Sequence, residues 1–102
     1  MLEQKVHPEL SRRVDAGMEF LADKHPEILR DIDLDTLDLS SSYRCMLGQP
    51  FGHFDDGLTQ LGITTMQAVG YGFDLEYIDY DHVLADLTPI WKTKIVEWRE
   101  KQ

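Results

Sequence analysis

The sequence predicts a mostly α-helical protein, a compact bundle of about five short helices with one short strand near 75–78 as an option. Apolar residues recur at three- and four-residue steps near both ends of the chain, which is the helical spacing. Prolines and glycines divide the region between them into short segments. The length of 102 residues and the hydrophobic fraction of 42% fit one small domain over 1–102.

The first helix is predicted from Pro8 to about Lys24, because proline suits the first helical position. Gly17 is either a weak point in this helix or a place where another element approaches closely. The residue before Pro26 avoids helical geometry, so the helix ends there and a second, short one runs from Pro26 to Arg30. The apolar stripe of the first helix is Leu10, Val14, Met18 and Leu21, with Phe20 beside it.

The next segment, 32–39, alternates leucine and aspartate without a clean period. We expect an extended stretch and one helical turn, with the leucines in the core and the aspartates in water. The serines of 40–42 are candidate N-caps for a helix over Tyr43–Leu47, which Gly48 and Pro50 would end.

A turn is predicted over 51–54, followed by a helix from Asp55 or Asp56 to Leu61 that Gly62 stops. Thr64 is a plausible cap for a helix through Val69, ended by glycines at 70 and 72.

The C-terminal helix is predicted to open at Asp79 or Asp81. Pro89 either kinks this helix or starts a second one. The apolar stripe consists of Leu84, Leu87, Trp91, Ile95 and Trp98.

Charge is distributed unevenly. Between Asp31 and Asp86 the chain has eleven carboxylates and one cation, Arg44, whereas the whole chain has a net charge of −9. Such a field repels nucleic acid and anionic membranes and attracts basic partners. We therefore expect a protein partner with a basic surface, no direct binding of nucleic acid and no membrane association.

The compartment follows from what the sequence lacks. Cys45 is the single cysteine, so no intrachain disulfide can form. The N-terminus has no apolar run of the secretory type, and no stretch approaches the roughly 18–20 apolar residues of a membrane span. A soluble, cytoplasmic protein is the expectation.

Several motifs occur in order over roughly 30–98: IDLDxLDLS from Ile32, RCxLGQ from Arg44, GLxxLG from Gly57, GFD from Gly72 and LTxxW from Leu87. Together they resemble a group of small actinobacterial and actinobacteriophage proteins that have no established activity. The resemblance implies a phage or mobile-element product that acts in a bacterial cytoplasm. Prolines at 50 and 89 depart from the pattern.

Catalytic and metal-binding interpretations are weak. Cys45 with His53 and an aspartate could form a nucleophile set, but a lone intracellular cysteine is usually a buried small hydrophobe. The spacing of Asp31, Asp33 and Asp35 imitates a calcium loop that lacks the required glycine and glutamate. No catalytic residue, metal ligand or cofactor is predicted. Arg44 is expected to form an internal ion pair with Asp33, Asp35 or Asp38, and the alternative is an anchor for an anionic ligand or a carboxylate of a partner.

Two functions remain. The first is a non-enzymatic interaction protein that docks on a basic surface of a host protein, including one that binds nucleic acid, and modulates it. The second is a small-ligand-binding protein or enzyme with its site around Tyr43, Arg44, Cys45, Gln49 and His53. The candidate binding residues are Asp33, Asp35, Asp38, Tyr43, Arg44, Gln49, His53, Asp55 and Asp56.

Overall fold

The computed structural model describes residues 8–76 and 82–102, which form six α-helices, one 3₁₀ turn and no β-strand. The mostly α-helical prediction is confirmed for these residues. None of the described helices combines the length and the apolar character needed to cross a membrane. The helices are α1 (Pro8–Lys24), α2 (Pro26–Asp31), α3 (Gly48–Phe51), α4 (Phe54–Leu61), α5 (Thr65–Gly70) and α6 (Leu87–Glu100), and the 3₁₀ turn is Leu84–Asp86.

Helices α1 and α6 pack against each other and supply much of the core. The stripe of α1 is confirmed, with Leu10, Val14 and Leu21 fully buried. The stripe of α6 is confirmed as well, since Trp91 and Ile95 are fully buried. At the surface, the Lys94 ammonium lies 2.8 Å from the Asp15 carboxylate and joins the two helices.

Gly17 marks a close approach, which was one of its two predicted roles. A Cβ atom at Gly17 would lie 2.0 Å from the Tyr71 carbonyl oxygen and 2.9 Å from the Trp91 ring. The Trp91 indole N–H donates to the Gly72 carbonyl oxygen at 2.6 Å. The chain can turn here because Gly72 has a φ of +74°, a conformation that favours glycine. Thus α1, α6 and the 71–73 turn meet at one point, and the fold there depends on the absence of a side chain.

The short helix α2 is held by the C-terminal end of α6. The Arg99 guanidinium donates to the Leu29 carbonyl oxygen at 2.9 Å and to the Ile32 carbonyl oxygen at 2.6 Å. The last carbonyl groups of a helix lack internal partners, so a cation there satisfies them. This contact fixes the start of the aspartate-rich segment relative to the core.

Helices α4 and α5 lie close to their predicted bounds, but Phe51 belongs to α3 and Phe54 begins α4, so the predicted turn over 51–54 is confined to Gly52 and His53. Helix α4 ends at Gly62 with φ +70°, as expected of a glycine stop. The Thr64 hydroxyl accepts from the Gln67 N–H while the Gln67 side chain accepts from the Thr64 N–H, so α5 begins with a capping box. Pro89 lies in the first turn of α6, where its missing N–H is not needed. Of the two options for Pro89, the helix start is therefore observed.

The predicted helix over Tyr43–Leu47 is wrong. These residues form turns, and the helix begins only at Gly48. A continuing helix would need the Arg44 carbonyl oxygen to accept from the Gly48 N–H. That oxygen instead accepts from the Asp38 N–H at 3.1 Å, and the Gly48 N–H donates to the Cys45 sulfur at 3.2 Å. The helical bond from Gly48 to Arg44 is thus replaced by bonds to Asp38 and to the Cys45 sulfur, and the segment forms turns.

The segment 32–39 faces the core as predicted, but contains turns and no helix. Ile32, Leu37 and Leu39 are buried, and Leu34 is half-buried. The Leu39 N–H donates to the Thr88 hydroxyl of α6 at 2.9 Å. Of the predicted strand at 75–78, Leu75 and Glu76 are irregular, while 77–78 and the predicted helix start at Asp79 or Asp81 lie outside the described residues.

Candidate protein-interaction surface

The carboxamide of Gln49 clamps the aspartate-rich segment to the turns that follow it. Its oxygen accepts from the Asp33 N–H at 2.8 Å, and its nitrogen donates to the Asp33 carbonyl oxygen at 3.0 Å. The same nitrogen donates to the Arg44 carbonyl oxygen at 3.2 Å. Gln49, predicted as a ligand-binding group, therefore uses both ends of its carboxamide to position the backbone.

A second set of backbone contacts brings α4 to the same place. The Asp38 N–H bonds to the Arg44 carbonyl oxygen, and the Phe54 N–H donates to the Ser42 carbonyl oxygen at 2.8 Å. The first turn of α4 thus lies beside the turn at 42–44. We define the acidic face as the six carboxylates of the segments that these contacts join to the Tyr43–Arg44 turn: Asp31, Asp33, Asp35, Asp38, Asp55 and Asp56.

The acidic face has almost no compensating charge. Within the part of the chain that the structure describes, none of its six carboxylates lies at salt-bridge distance from a lysine or arginine. Three of the four acids of α1 differ, because Glu9 pairs with Arg12, Asp15 with Lys94 and Asp23 with Lys24. Five of the six carboxylates on the face are exposed and Asp38 is half-buried. The face therefore carries a concentrated, solvent-facing negative charge.

Arg44 does not form the predicted internal ion pair. No described carboxylate is within salt-bridge distance of its guanidinium, which is exposed. The Asp38 carboxylate instead accepts from the Ser40 hydroxyl at 2.6 Å and the Ser40 N–H at 3.0 Å. These bonds, and less strongly the positive charge of Arg44, lower the pKa of Asp38. The positive charges of Arg44 and Lys92 thus act on Asp38 at a distance, without an ion pair.

Tyr43 stands out of this surface. Its side chain is 67% exposed, and its ring meets the His53 ring edge-on with 5.2 Å between centroids. His53 is itself fixed, since its Nδ1 atom accepts from the Asp55 N–H at 3.0 Å and caps α4. An exposed tyrosine on a rigid support is the kind of side chain that anchors protein interfaces. Sequence analysis identified both residues, but not their contact.

Cys45 is a core residue, in agreement with the expectation that it is a small buried hydrophobe. It is 2% exposed, and its sulfur accepts from the Gly48 N–H. Burial raises the pKa of its thiol, which disfavours the thiolate that a nucleophile requires. The imidazole of His53 is engaged at the cap of α4. These positions give no support to the Cys–His–Asp set.

Asp74 lies with Cys45 on the wall of a small cavity of about 100 Å³, and sequence analysis did not single it out. Its carboxylate accepts from the Leu75 N–H at 2.8 Å. Partial burial raises the pKa of this carboxyl group, because the charged form loses hydration. No pattern in the sequence signals this, since the cavity around Asp74 is formed by residues 39–42, 45, 54, 73 and 84.

Asp74→Asn is expected to raise the free energy of unfolding at neutral pH. With its folded-state pKa above its unfolded value of about 3.9, Asp74 penalises folding once the pH rises above that value. The gain should shrink to nothing below about pH 4, where both states are protonated. Urea denaturation of both proteins at several pH values would measure it. Asp38→Asn is the control of opposite sign, because a lowered pKa stabilises the fold above about pH 4.

A larger cleft of about 350 Å³ lies between α2 and α3. The predicted site includes Gln49 but none of the other cleft residues. The signal that could have found them is the spacing of Glu27 and Asp31, four residues apart on a short helix, each followed by an isoleucine. Gln49 and Cys45 thus line different cavities, which separates two members of the predicted ligand site. The residues that line the cleft between α2 and α3 are His25, Glu27, Ile28, Asp31, Ile32, Gln49, Pro50 and Phe51.

Comparison with known proteins adds no family to this description. No family model, curated protein or solved structure matches the chain. Among residues 8–76 and 82–102, no group of three histidine, cysteine, aspartate or glutamate side chains is placed to share a metal ion.

Proposed function

We propose that this protein is a non-enzymatic interaction protein whose acidic face docks on a basic surface of a partner protein and modulates that partner. The observation that carries the proposal is the set of six carboxylates around Tyr43 and Arg44 with no described lysine or arginine paired to them. A fold gains little from crowding like charges, whereas a cationic partner would be attracted to them.

The rigid support of the face favours the same function. Gln49 and the backbone bonds at 42–44 hold the acid-bearing segments in place, so little ordering entropy would be lost on binding. Tyr43 offers an apolar anchor among the charges. Charge would thus steer the partner, and the ring would add short-range affinity.

The partner would be a basic, nucleic-acid-binding protein of a bacterial cytoplasm. Carboxylates on this face would occupy the positions of backbone phosphates, which contribute much of the affinity in such proteins. This choice of partner rests on the charge and on the resemblance to actinobacterial and phage proteins. A partner of this kind would be competed off by the nucleic acid that it normally binds.

The test removes charge without changing shape. The quadruple variant Asp33→Asn, Asp35→Asn, Asp55→Asn, Asp56→Asn is compared with a matched variant, Glu19→Gln, Asp23→Asn, Glu97→Gln, Glu100→Gln, which loses the same charge elsewhere. A bacterial partner is first captured at about 50 mM salt, and its affinity is then measured by calorimetry at about 50 and 200 mM. We expect the first variant to bind at least about tenfold more weakly and the second to change by less than about threefold.

Tyr43→Ala separates the contribution of the tyrosine ring to partner affinity from that of the carboxylates. The side chain is mostly exposed, so the free energy of unfolding should change by about 0.5 kcal/mol or less. Affinity for the partner should nevertheless fall, and the fall should persist at high salt. Equal losses in the two charge variants, or partner binding that ignores salt, would contradict the proposal.

A further inference from the structure

The cleft between α2 and α3 has an apolar floor and an acidic rim. Ile28 and Ile32 are buried beneath it, and the half-buried Phe51 contributes an aromatic ring. Glu27 and Asp31 are exposed and lie one helical turn apart on the same side of α2. With about 350 Å³, the cleft is at the lower end of the roughly 300–1,000 Å³ typical of ligand pockets.

The carboxylates of the rim have no internal cation. Within the described residues neither Glu27 nor Asp31 is at salt-bridge distance from a lysine or arginine, and Glu27 lies 3.4 Å from His25 Nδ1. Arg30 is exposed on α2 and pairs with neither of them. The Gln49 carboxamide already bonds to Asp33 and Arg44. The groups left for an occupant are two anions, an aliphatic floor and a ring.

We propose that this cleft receives the side chain of an arginine from the basic partner. The aliphatic stem of arginine suits the isoleucine floor. Its planar guanidinium presents a fork of N–H donors to carboxylates and stacks on aromatic rings, which a lysine ammonium does only weakly. The cleft is continuous with the acidic face, because Asp31 belongs to both and Gln49 of the cleft bonds to the backbone of Asp33. This inference rests on the proposed function and specifies arginine as the residue of the partner that the cleft would bind.

The experiment uses a free peptide, so that it does not depend on the proposed partner. The probe is an acetylated and amidated Gly-Arg-Gly tripeptide, titrated into the full chain and followed by NMR shifts of backbone amides. The controls are the same peptide with citrulline, which keeps the shape of arginine without its charge, and with lysine. We expect shifts centred on residues 25–32 and 49–51, with binding in the order arginine, lysine, citrulline.

Two charge variants locate the site. Glu27→Gln with Asp31→Asn should weaken arginine-peptide binding about tenfold, whereas Asp55→Asn with Asp56→Asn, on the same molecule and with equal charge loss, should change it less than about threefold. Equal binding of the arginine and citrulline peptides, shifts spread over all acidic segments, or equal losses in the two variants would overturn the inference. If the acidic-face variants still weaken partner binding in that case, the proposed function stands without this cleft.

Discussion

Gly17→Ala is expected to lower the free energy of unfolding by about 1–2 kcal/mol. A methyl group there would lie 2.0 Å from the Tyr71 carbonyl oxygen, so backbone must move by about 1 Å to restore ordinary contact. Overpacking of this kind costs about 1–3 kcal/mol and more when the obstacle is backbone. The better helix propensity of alanine returns only about 1 kcal/mol. The clash therefore outweighs the propensity, and chemical denaturation would show a lower midpoint.

Gly70→Ala is the matched control for this prediction. Gly70 closes α5, and a Cβ atom there would meet nothing within 4 Å. Its φ is not positive, so alanine fits the backbone and should leave stability unchanged or raise it by about 0.4–1 kcal/mol. If both variants lost stability equally, the general cost of replacing glycine would explain the result, and the close approach at Gly17 would not.

The sequence predicted those helices whose ends are set by residues close to them in the chain. The bounds of α1 and α5 follow from proline, glycine and capping residues, which act over four or five positions. The failure at Tyr43–Leu47 has a different cause. The Arg44 carbonyl oxygen accepts hydrogen bonds from the Asp38 N–H and the Gln49 side chain. The periodicity of the sequence does not predict these two bonds. Where a distant donor takes the acceptor, helix propensity does not decide the outcome.

The residues of the candidate surface were predictable from the sequence, but the contacts that join them were not. The charge count identified Asp33, Asp55 and their neighbours, but it could not show the bonds from Phe54 to Ser42 and from Asp38 to Arg44 that join both groups to one turn. Arg44 was expected to pair because it is the only cation between Asp31 and Asp86. The structure leaves it exposed, since Ser40 already satisfies Asp38. The partners of a surface charge depend on turn geometry, which composition does not contain.

Trp91→Ala is expected to have the largest effect of the substitutions discussed. The free energy of unfolding should fall by about 3–5 kcal/mol. The Trp91 side chain is fully buried, stacks on Phe73 with 5.5 Å between ring centroids and covers the backbone of α1 at Gly17. Its removal leaves a cavity where α1, α6 and the 71–73 turn meet. A domain stabilised by about 5–15 kcal/mol would lose a large part of its stability. Thermal and urea unfolding would both register the change.

Trp91→Phe separates the two causes of this loss of stability, which are the cavity and the lost hydrogen bond. Phenylalanine keeps most of the apolar volume but removes the N–H that bonds to the Gly72 carbonyl oxygen at 2.6 Å. Leaving that buried oxygen without a donor should cost about 1–3 kcal/mol. Trp98→Phe is the control, because Trp98 is half-buried and its indole nitrogen makes no hydrogen bond within the described residues. Each variant retains the other tryptophan as a fluorescence probe, so the two unfolding curves can be compared directly. Since Trp98→Phe should cost less than about 1 kcal/mol, equal losses would mean that the bond to Gly72 does not stabilise the junction of the three elements.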